Sequence, residues 1–118
     1  MAGITTKSFS SPDETRTPPN TTVEVVRLGA ATAARLTFQP GWRWSHDLAP
    51  VVGTTSCQVR HVGSVLQGTL HTVHEDGSEG EVGVGDAYVI EPGHDGWVVG
   101  DEAVVLLEFE SAERYGRA

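Results

Sequence analysis

Short β-rich segments, separated by glycine and proline, occupy the chain from residue 23 to residue 109. Branched aliphatic and aromatic residues dominate them, and such segments fit the pleated, half-buried surface of a strand. The glycines are spread along the chain, as tight turns between strands require. No stretch longer than about ten residues carries apolar side chains at helical spacing. The pattern predicts an all-β barrel or sandwich and argues against an α/β fold.

The segment Trp42-Arg43-Trp44-Ser45-His46 follows a Pro-Gly turn signal. Alternation along a strand would place both of its tryptophans on one face and the arginine with the serine on the other. Residues 47–53 contain a proline and a glycine and are expected to form a loop. The other expected strands lie at residues 23–28, 34–38, 57–62, 63–67, 69–74, 81–86, 88–90, 97–99 and 103–109.

A chain of 118 residues is expected to form a single domain with one core. Residues 1–20 are polar and rich in Ser, Thr and Pro, which predicts a flexible arm or one that is ordered by docking on a partner subunit. The barrel domain is then expected to span residues 21–118. Residues 1–11 lack the apolar run of a signal peptide or a membrane anchor.

The charge balance excludes two classes of partner. Eight basic residues against 16 acidic ones give a net charge of −8, and the Lys and Arg residues form no cluster. Nucleic acid and anionic membranes are therefore not expected partners, because binding to their phosphates needs clustered positive charge. The single cysteine, Cys57, excludes an internal disulfide, and a free thiol predicts a cytosolic protein.

Two glycine-punctuated blocks, residues 55–68 and 85–97, each have the pattern of a strand, a turn and a strand. Together they resemble the two sequence motifs of the cupin superfamily. The scaffold glycines of those motifs fall on Gly68, Gly85 and Gly93. The resemblance is therefore carried by turn positions.

The metal-binding positions of the cupin motifs hold other residues in this chain. Cys57 stands where the first motif has a histidine, and His61 stands at its glutamate position. His94 lies two residues before the histidine position of the second motif. None of the usual three histidines and one glutamate is retained in place, so a ligand set specific to this chain is expected.

The chain also resembles a narrower group of small bacterial single-domain cupins. That group carries a Pro-Gly-Trp-Arg-Trp-Ser run, a Cys-x3-His pair and a Pro-Gly-His-Asp-x-Trp-Val-Val-Gly-Asp-Glu run, here residues 40–45, 57–61 and 92–102. The resemblance implies the double-stranded β-helix of cupins, a jelly-roll barrel made of two antiparallel sheets. It also implies a homodimer in which edge strands pair.

Cys57, His61 and His94 offer one thiolate and two imidazoles. Such a set binds Zn²⁺, Cu or Fe²⁺, and three protein ligands leave a coordination position open. The resemblance implies a divalent ion, one of Fe, Zn, Cu, Mn or Ni. The alternative is a cysteine that only packs, beside histidines that only form hydrogen bonds. A nucleophilic pair of Cys57 and His61 is disfavoured, because four residues of extended strand would separate them by about 13 Å.

Further residues are candidates for a substrate pocket. Trp42, Trp44 and Trp97 can supply apolar walls, or else plug the barrel ends as core. Arg43 can clamp a carboxylate or phosphate, or pair with a surface acid. His46 lies at the start of the expected loop. Three roles are open to it: a substrate contact, a fourth metal ligand or a solvent-exposed side chain without a function.

Three further polar residues, Asp95, His71 and His74, are not expected to bind the ion directly. Asp95 follows His94 and can orient the imidazole of that residue or cap the turn. His71 and His74 lie on one expected strand with opposite parity, and both are expected on the surface.

The leading hypothesis is a metal-binding cupin that binds or transforms a small organic molecule in its lumen. The family resemblance implies metal-assisted chemistry such as oxygen-dependent cleavage, isomerisation or a lyase reaction. A non-catalytic module that senses small molecules or metals is the alternative, favoured by the changed ligand residues. A barrel with a dry core that serves only in assembly is the third hypothesis.

Overall fold

In the computed structural model, which describes residues 3–117, the chain forms nine β-strands and two one-turn helices. Within that range no helix is long and apolar enough to cross a membrane. The strands are β1 (Glu14–Arg16), β2 (Thr21–Arg27), β3 (Thr32–Phe38), β4 (His61–Gln67), β5 (Thr69–His74), β6 (Glu79–Gly83), β7 (Ala87–Ile90), β8 (His94–Val98) and β9 (Val104–Glu108). The helices are α1 (Trp44–Asp47) and α2 (Ala49–Val52).

The strands form two antiparallel sheets. The larger sheet has the order β1-β2-β3-β9-β4-β7, and the smaller one has the order β6-β5-β8. The chain crosses between the sheets from β4 to β5, from β6 to β7, from β7 to β8 and from β8 to β9. This arrangement confirms the predicted all-β jelly-roll barrel.

Alternation within the central strands of the larger sheet builds the core. Val23 and Val25 of β2, Leu36 of β3, and Val104 and Leu106 of β9 have exposed fractions of 0–2%. Their register places Val23 opposite Leu36 and Leu36 opposite Leu106, so the inward-facing side chains form continuous rows. Burial of each such side chain stabilises the fold by about 1.5–3 kcal/mol.

Glycine is required where β4 approaches β9. A Cβ atom on Gly63 would lie 2.1 Å from the carbonyl oxygen of Leu107. At the end of β4, Gly68 has a φ of 78°, and its Cβ would lie 2.6 Å from the carbonyl oxygen of Ala103. The close contact of these two strands therefore depends on residues without side chains.

Two local predictions differ from the structure. Helix α1 begins at Trp44, and α2 follows in the region expected to be a loop. The strand expected at 57–62 begins only at His61, whereas Cys57 forms an isolated bridge with His94 of β8. The physical reason for the second difference is that Cys57 pairs with the smaller sheet and His61 pairs with the larger one.

Part of the segment predicted as an arm contacts the barrel. Strand β1 pairs with β2, and Arg16 is buried with its guanidinium donating to the carbonyl oxygens of Ala112 (2.9 Å) and Tyr115 (2.7 Å). Residues 1, 2 and 118 lie outside the described range, and the domain boundary at residues 20 and 21 remains a prediction.

Candidate metal centre

The structure brings Cys57, His61 and His94 together inside the barrel, where the two histidines line the lumen. Their ligand atoms all lie within 4.8 Å of one another. The exposed fractions are 2% for Cys57 and 5% for each histidine, so all three are shielded from bulk water. Each residue comes from a different part of the fold: the connection before β4, the first residue of β4, and the first residue of β8.

A bend in the backbone accounts for the contact between Cys57 and His61. The Cys57 N–H donates to the carbonyl oxygen of His94 (2.7 Å), and the N–H of Gly93 donates to the carbonyl oxygen of Cys57 (2.7 Å). These bonds hold Cys57 against β8, and residues 58–60 are not extended into a strand. The Cys57 Sγ therefore lies 3.6 Å from His61 Nε2, and the expectation of a long separation was wrong.

Hydrogen bonds fix which nitrogen of each imidazole faces the centre. His61 Nδ1 lies 2.6 Å from Glu108 Oε1, and His94 Nδ1 lies 2.7 Å from the carbonyl oxygen of Glu91. Both partners are acceptors, so each Nδ1 carries a hydrogen and donates it. In the neutral imidazoles, Nε2 is then the nitrogen with a free lone pair.

Glu108 is a buried carboxylate at this centre that the sequence motifs did not reveal. Its carboxylate has no exposure to solvent, and it accepts hydrogen bonds from His61, from Tyr88 Oη (2.6 Å) and from the Ser111 hydroxyl. Burial raises the pKa of Glu108, but the charge of His61 and these hydrogen bonds outweigh that effect and lower it. Burial and the charge of Glu108 raise the pKa of Tyr88, so the phenol keeps its proton.

The electrostatic interactions between Cys57 and the two histidines favour a thiolate at Cys57. Burial opposes the charged form of Cys57, but hydrogen bonds with His61 and His94 outweigh it and lower the thiol pKa to about 6. Burial also lowers the pKa of His61, yet the charge of Glu108 and the bond to Cys57 raise it overall. Without a metal, the lowered pKa of Cys57 and the raised pKa of His61 both favour a thiolate beside an imidazolium.

Two of the three predicted pocket tryptophans line the lumen. Trp42 and Trp44 are both buried, and Trp42 stacks on Phe38 with 3.9 Å between ring centroids. Beside these rings and the two histidines the lumen keeps a cavity of about 20 Å³, measured as space open to the centre of a water molecule. That volume is enough for about one water molecule.

The remaining tryptophan lies on the outer face of β8. His94 and Val98 point inward, whereas Asp95 and Trp97 point outward and are half-buried. The Arg43 guanidinium lies 4.6 Å from the centre of the Trp97 ring. Neither Trp97 nor Arg43 lines the lumen cavity, and Arg43 pairs with an acid, Asp95, which is the alternative that the sequence left open for it.

Asp95 anchors α1 and has no hydrogen bond to His94 among the described contacts. Its carboxylate accepts from Arg43 Nε (3.2 Å) and from the N–H of Ser45 (3.0 Å). The Glu91 carbonyl oxygen, rather than Asp95, orients the imidazole of His94. Of the two roles left open for Asp95, its contacts are those of an acceptor for backbone N–H groups, those of Ser45 and Gly96.

The other histidines lie outside the triad. His46 is exposed on α1 and does not line the lumen cavity. His71 stacks on Trp97, and its ring nitrogens lie 3.1 Å from Glu81 and 2.9 Å from Glu79. His74 is half-buried at the end of β5, and its Nε2 lies 2.9 Å from the Glu91 carbonyl oxygen.

A second, larger cavity opens next to Cys57. We call it the C-terminal cleft; its walls come from residues 52–59 and 113–117 together with Trp44. Its volume is about 380 Å³ on the same measure. Tyr115 separates it from the lumen, since its ring is buried and lies 5.0 Å from that of His61.

Comparison with known proteins identifies structural relatives only. No family model matches the sequence, and no curated protein matches it. A variant of oxalate decarboxylase from Bacillus subtilis has 17% identity and a TM-score of 0.66; the match covers 96% of this chain and 31% of that one. This chain therefore spans about a third of the length of oxalate decarboxylase.

Two relatives are similar in length to this chain. KdgF from Halomonas sp. has 18% identity and a TM-score of 0.61, and 92% of each chain is covered. A protein of unknown function from Rhizobium leguminosarum has 19% identity and a TM-score of 0.65, covering 92% of this chain and 96% of that one. At such identities the likeness establishes the fold.

Proposed function

Because this chain is a small domain with the cupin fold, we propose that it binds a divalent transition-metal ion through Cys57, His61 and His94 and presents that ion to a small organic molecule. The observation that carries the proposal is the hydrogen bonding of both imidazoles. Each Nδ1 donates to a fixed acceptor, which leaves both Nε2 atoms available within 4.8 Å of the thiolate. A carboxylate or carbonyl behind a ligating histidine is the usual support of a protein metal site.

The charges at the centre fit a dication. Cys57 and Glu108 bring two negative charges into the lumen, and protonated His61 balances only one of them. Binding of a divalent ion would displace the proton on His61 Nε2 and neutralise both anions. The soft thiolate with two imidazoles favours Zn²⁺, Cu or Fe²⁺ over Mn²⁺, Mg²⁺ and Ca²⁺.

The surroundings leave room for one further ligand. Three protein ligands make an open site, and the lumen cavity beside the histidines has space for about one water molecule. A bound ion would supply Lewis-acid chemistry and a coordinated water of lowered pKa. Trp42, Trp44 and Tyr115 are buried around this space and exclude bulk water from it.

Several finer statements are part of this proposal. Oxygen-dependent cleavage, isomerisation and lyase chemistry on a small molecule suit an open metal site, and a non-catalytic sensor would use the same ligands. Oxalate decarboxylase, by its name, acts on a small carboxylic acid. The homodimer and the cytosolic location stay predictions.

Elemental mass spectrometry of the purified, untagged protein tests the proposal. The wild type is produced in medium supplemented with Zn, Fe and Cu, then stripped and reconstituted with each metal. We expect about one ion per chain, lost in Cys57→Ala, His61→Ala and His94→Ala but retained in the control His46→Ala. Circular dichroism checks that each variant folds. A wild type without stoichiometric metal after reconstitution would exclude the metal centre.

A second candidate function uses the same residues without a metal. Cys57 Sγ lies 3.6 Å from His61 Nε2, and His61 Nδ1 lies 2.6 Å from Glu108, which is the order of nucleophile, base and orienting acid. This candidate predicts that metal-free protein hydrolyses an activated ester with a burst, through an acyl group on Cys57. Added Zn²⁺ would suppress that burst, and Cys57→Ser would abolish it. Absence of a burst in metal-free wild type would exclude this alternative.

A further inference from the structure

Basic side chains in this acidic protein are almost all engaged by carboxylates. Seven of the eight Lys and Arg side chains lie within 3.2 Å of an acidic oxygen. They are Lys7, Arg16, Arg27, Arg35, Arg43, Arg60 and Arg117. Arg114 is the exception: within residues 3–117 its side chain has neither an ion pair nor a hydrogen bond.

Arg114 lines the C-terminal cleft, on which Cys57 also borders. The cleft has a volume of about 380 Å³, within the range of small-molecule sites. Trp44, Val52 and Tyr115 give it an apolar wall. A site with one cation and an apolar wall fits an organic anion better than a sugar or a cation.

The other polar groups of the cleft are already occupied. Glu113 receives hydrogen bonds from Arg27 (3.0 Å), and Arg117 donates to Glu14 (2.7 Å). Glu113 is therefore engaged by Arg27 instead of Arg114, and Arg117 is engaged by Glu14 instead of a bound anion. The planar fork of donors on Arg114 suits a carboxylate, which it can bind with two parallel hydrogen bonds.

The backbone that carries Arg114 is fixed on both sides. Buried Arg16 donates to the carbonyl oxygens of Ala112 and Tyr115, and the Ser111 hydroxyl donates to Glu108. The segment 111–115, which carries Arg114, is thus hydrogen-bonded to Glu108, the same carboxylate that accepts from His61. A preformed wall of this kind lowers the entropy cost of binding a ligand.

We propose that the C-terminal cleft binds a small organic carboxylate, with Arg114 holding the carboxylate and Trp44, Val52 and Tyr115 holding its apolar body. Cys57 borders this cleft, so a carboxylate bound there lies beside the metal centre, with Tyr115 between the cleft and the lumen; its delivery to the ion rests on the proposed function. With a net charge of −8, the rest of the surface repels anions, so binding at this one cation is site-selective.

Amide chemical shifts measured by NMR at low ionic strength test the proposal. The probes are benzoate and hexanoate, each compared with its uncharged amide, benzamide and hexanamide. The proteins are wild type, Arg114→Gln and the control Arg35→Gln. The control also removes one positive charge, but from the outer face, where Arg35 pairs with Glu24. We expect saturable shifts at residues 52–59 and 113–117 with the carboxylates, and binding about ten-fold weaker in Arg114→Gln but unchanged in Arg35→Gln.

The proposal is overturned if neither carboxylate shifts the cleft amides, if the amides bind equally well, or if Arg114→Gln binds like wild type. Cys57→Ser separates this result from the fate of the metal centre, because the proposed function expects that variant to lose the ion. Carboxylate binding that persists in Cys57→Ser supports the cleft even where the metal analysis fails. If the protein binds stoichiometric metal but no carboxylate, the proposed metal centre is supported and carboxylate binding in the cleft is rejected.

Discussion

The Glu108 carboxylate lies 2.6 Å from Nδ1 of His61, and both side chains are buried between the sheets. Strand β9 supplies the acid and strand β4 supplies the imidazole. These strands are neighbours in the larger sheet, so the pair is held by the fold itself. The basicity and the orientation of the imidazole therefore depend on a residue that is not one of the three proposed ligands.

Replacement of Glu108 by Gln is expected to weaken metal binding. The amide keeps an acceptor for His61 Nδ1 but removes the charge that raises the pKa of His61, so the imidazole becomes a poorer ligand. We expect an affinity about 10–100-fold lower, measured by competition with a chromophoric chelator. Glu24→Gln, which removes a charge on the opposite side of the sheet, serves as the control. Equal losses in both variants would contradict a specific role for Glu108.

The thiol of Cys57 is expected to titrate with a midpoint of about 6 in the metal-free protein. Thiolate absorbance followed against pH measures it. In His61→Asn the midpoint should rise. Burial raises the thiol pKa, and without the His61 imidazole less remains to lower it. Since the folded pKa is lower than the unfolded one, the associated stability is present at high pH and is lost as pH falls through the folded value. An unchanged midpoint in His61→Asn would show that His61 does not stabilise the thiolate.

His71 is expected to stabilise the protein in mild acid. The hydrogen bonds that its ring donates to Glu79 first, and then to Glu81, raise the pKa of His71 above the ordinary value. A raised pKa contributes stability that is fully present below the unfolded pKa of about 6.5 and is lost as pH rises through the folded value. Urea unfolding of wild type and His71→Gln at about pH 5.5 and about pH 8.5 should give the larger difference in unfolding free energy at the lower pH. If the difference in unfolding free energy between wild type and His71→Gln does not change with pH, His71 stabilises the fold only by packing on Trp97.

Asp95→Ala is expected to destabilise the fold without affecting the metal centre. The change removes the acceptor for Arg43 Nε and for the N–H of Ser45, the second residue of α1. Loss of such a partner costs about 1–2 kcal/mol of unfolding free energy. Metal affinity should stay within about two-fold of wild type, because His94 is oriented by Glu91. A large fall in affinity with little loss of stability would restore Asp95 as the residue that orients His94.

Gly63→Ala is expected to be among the most damaging small substitutions. The new methyl group would lie 2.1 Å from the Leu107 carbonyl oxygen, so β4 and β9 would have to separate. We expect a loss of about 2–3 kcal/mol in thermal or urea unfolding. Gly80→Ala in β6 is the matched control, because nothing lies within 4 Å of its added atom, and its effect should stay below about 0.5 kcal/mol. Similar effects at both sites would show that the contact at Gly63 relaxes freely.

Periodicity and turn residues were sufficient to predict the class of fold. The strands of the core follow simple alternation, as Val104 and Leu106 show, and glycines lie at the strand ends where a positive φ is needed. The contact of Cys57 with His61 could not be predicted in this way. It depends on the two residues pairing with different sheets, and local periodicity carries no information about such pairing.

Glu108 shows a signal that was present but unused. It shares the inward parity of Val104 and Leu106 in a strongly apolar strand, and a carboxylate in such a position needs a partner. Trp97 shows the opposite case: an aromatic residue within a motif resembles a pocket wall, yet its parity with Asp95 directs it outward. In both cases parity on a strand is a better guide than residue type.

The three proposed ligands belong to separate pieces of the barrel, with His61 in the larger sheet, His94 in the smaller sheet and Cys57 in the connection that precedes β4. An ion held by all three would act as a reversible cross-link, closing the chain from Cys57 to His94 and restricting the unfolded state much as a disulfide does. This chain has one cysteine and cannot make that bond covalently. Metal supply would then determine how long the folded protein survives heat and proteolysis, apart from any reaction at the centre.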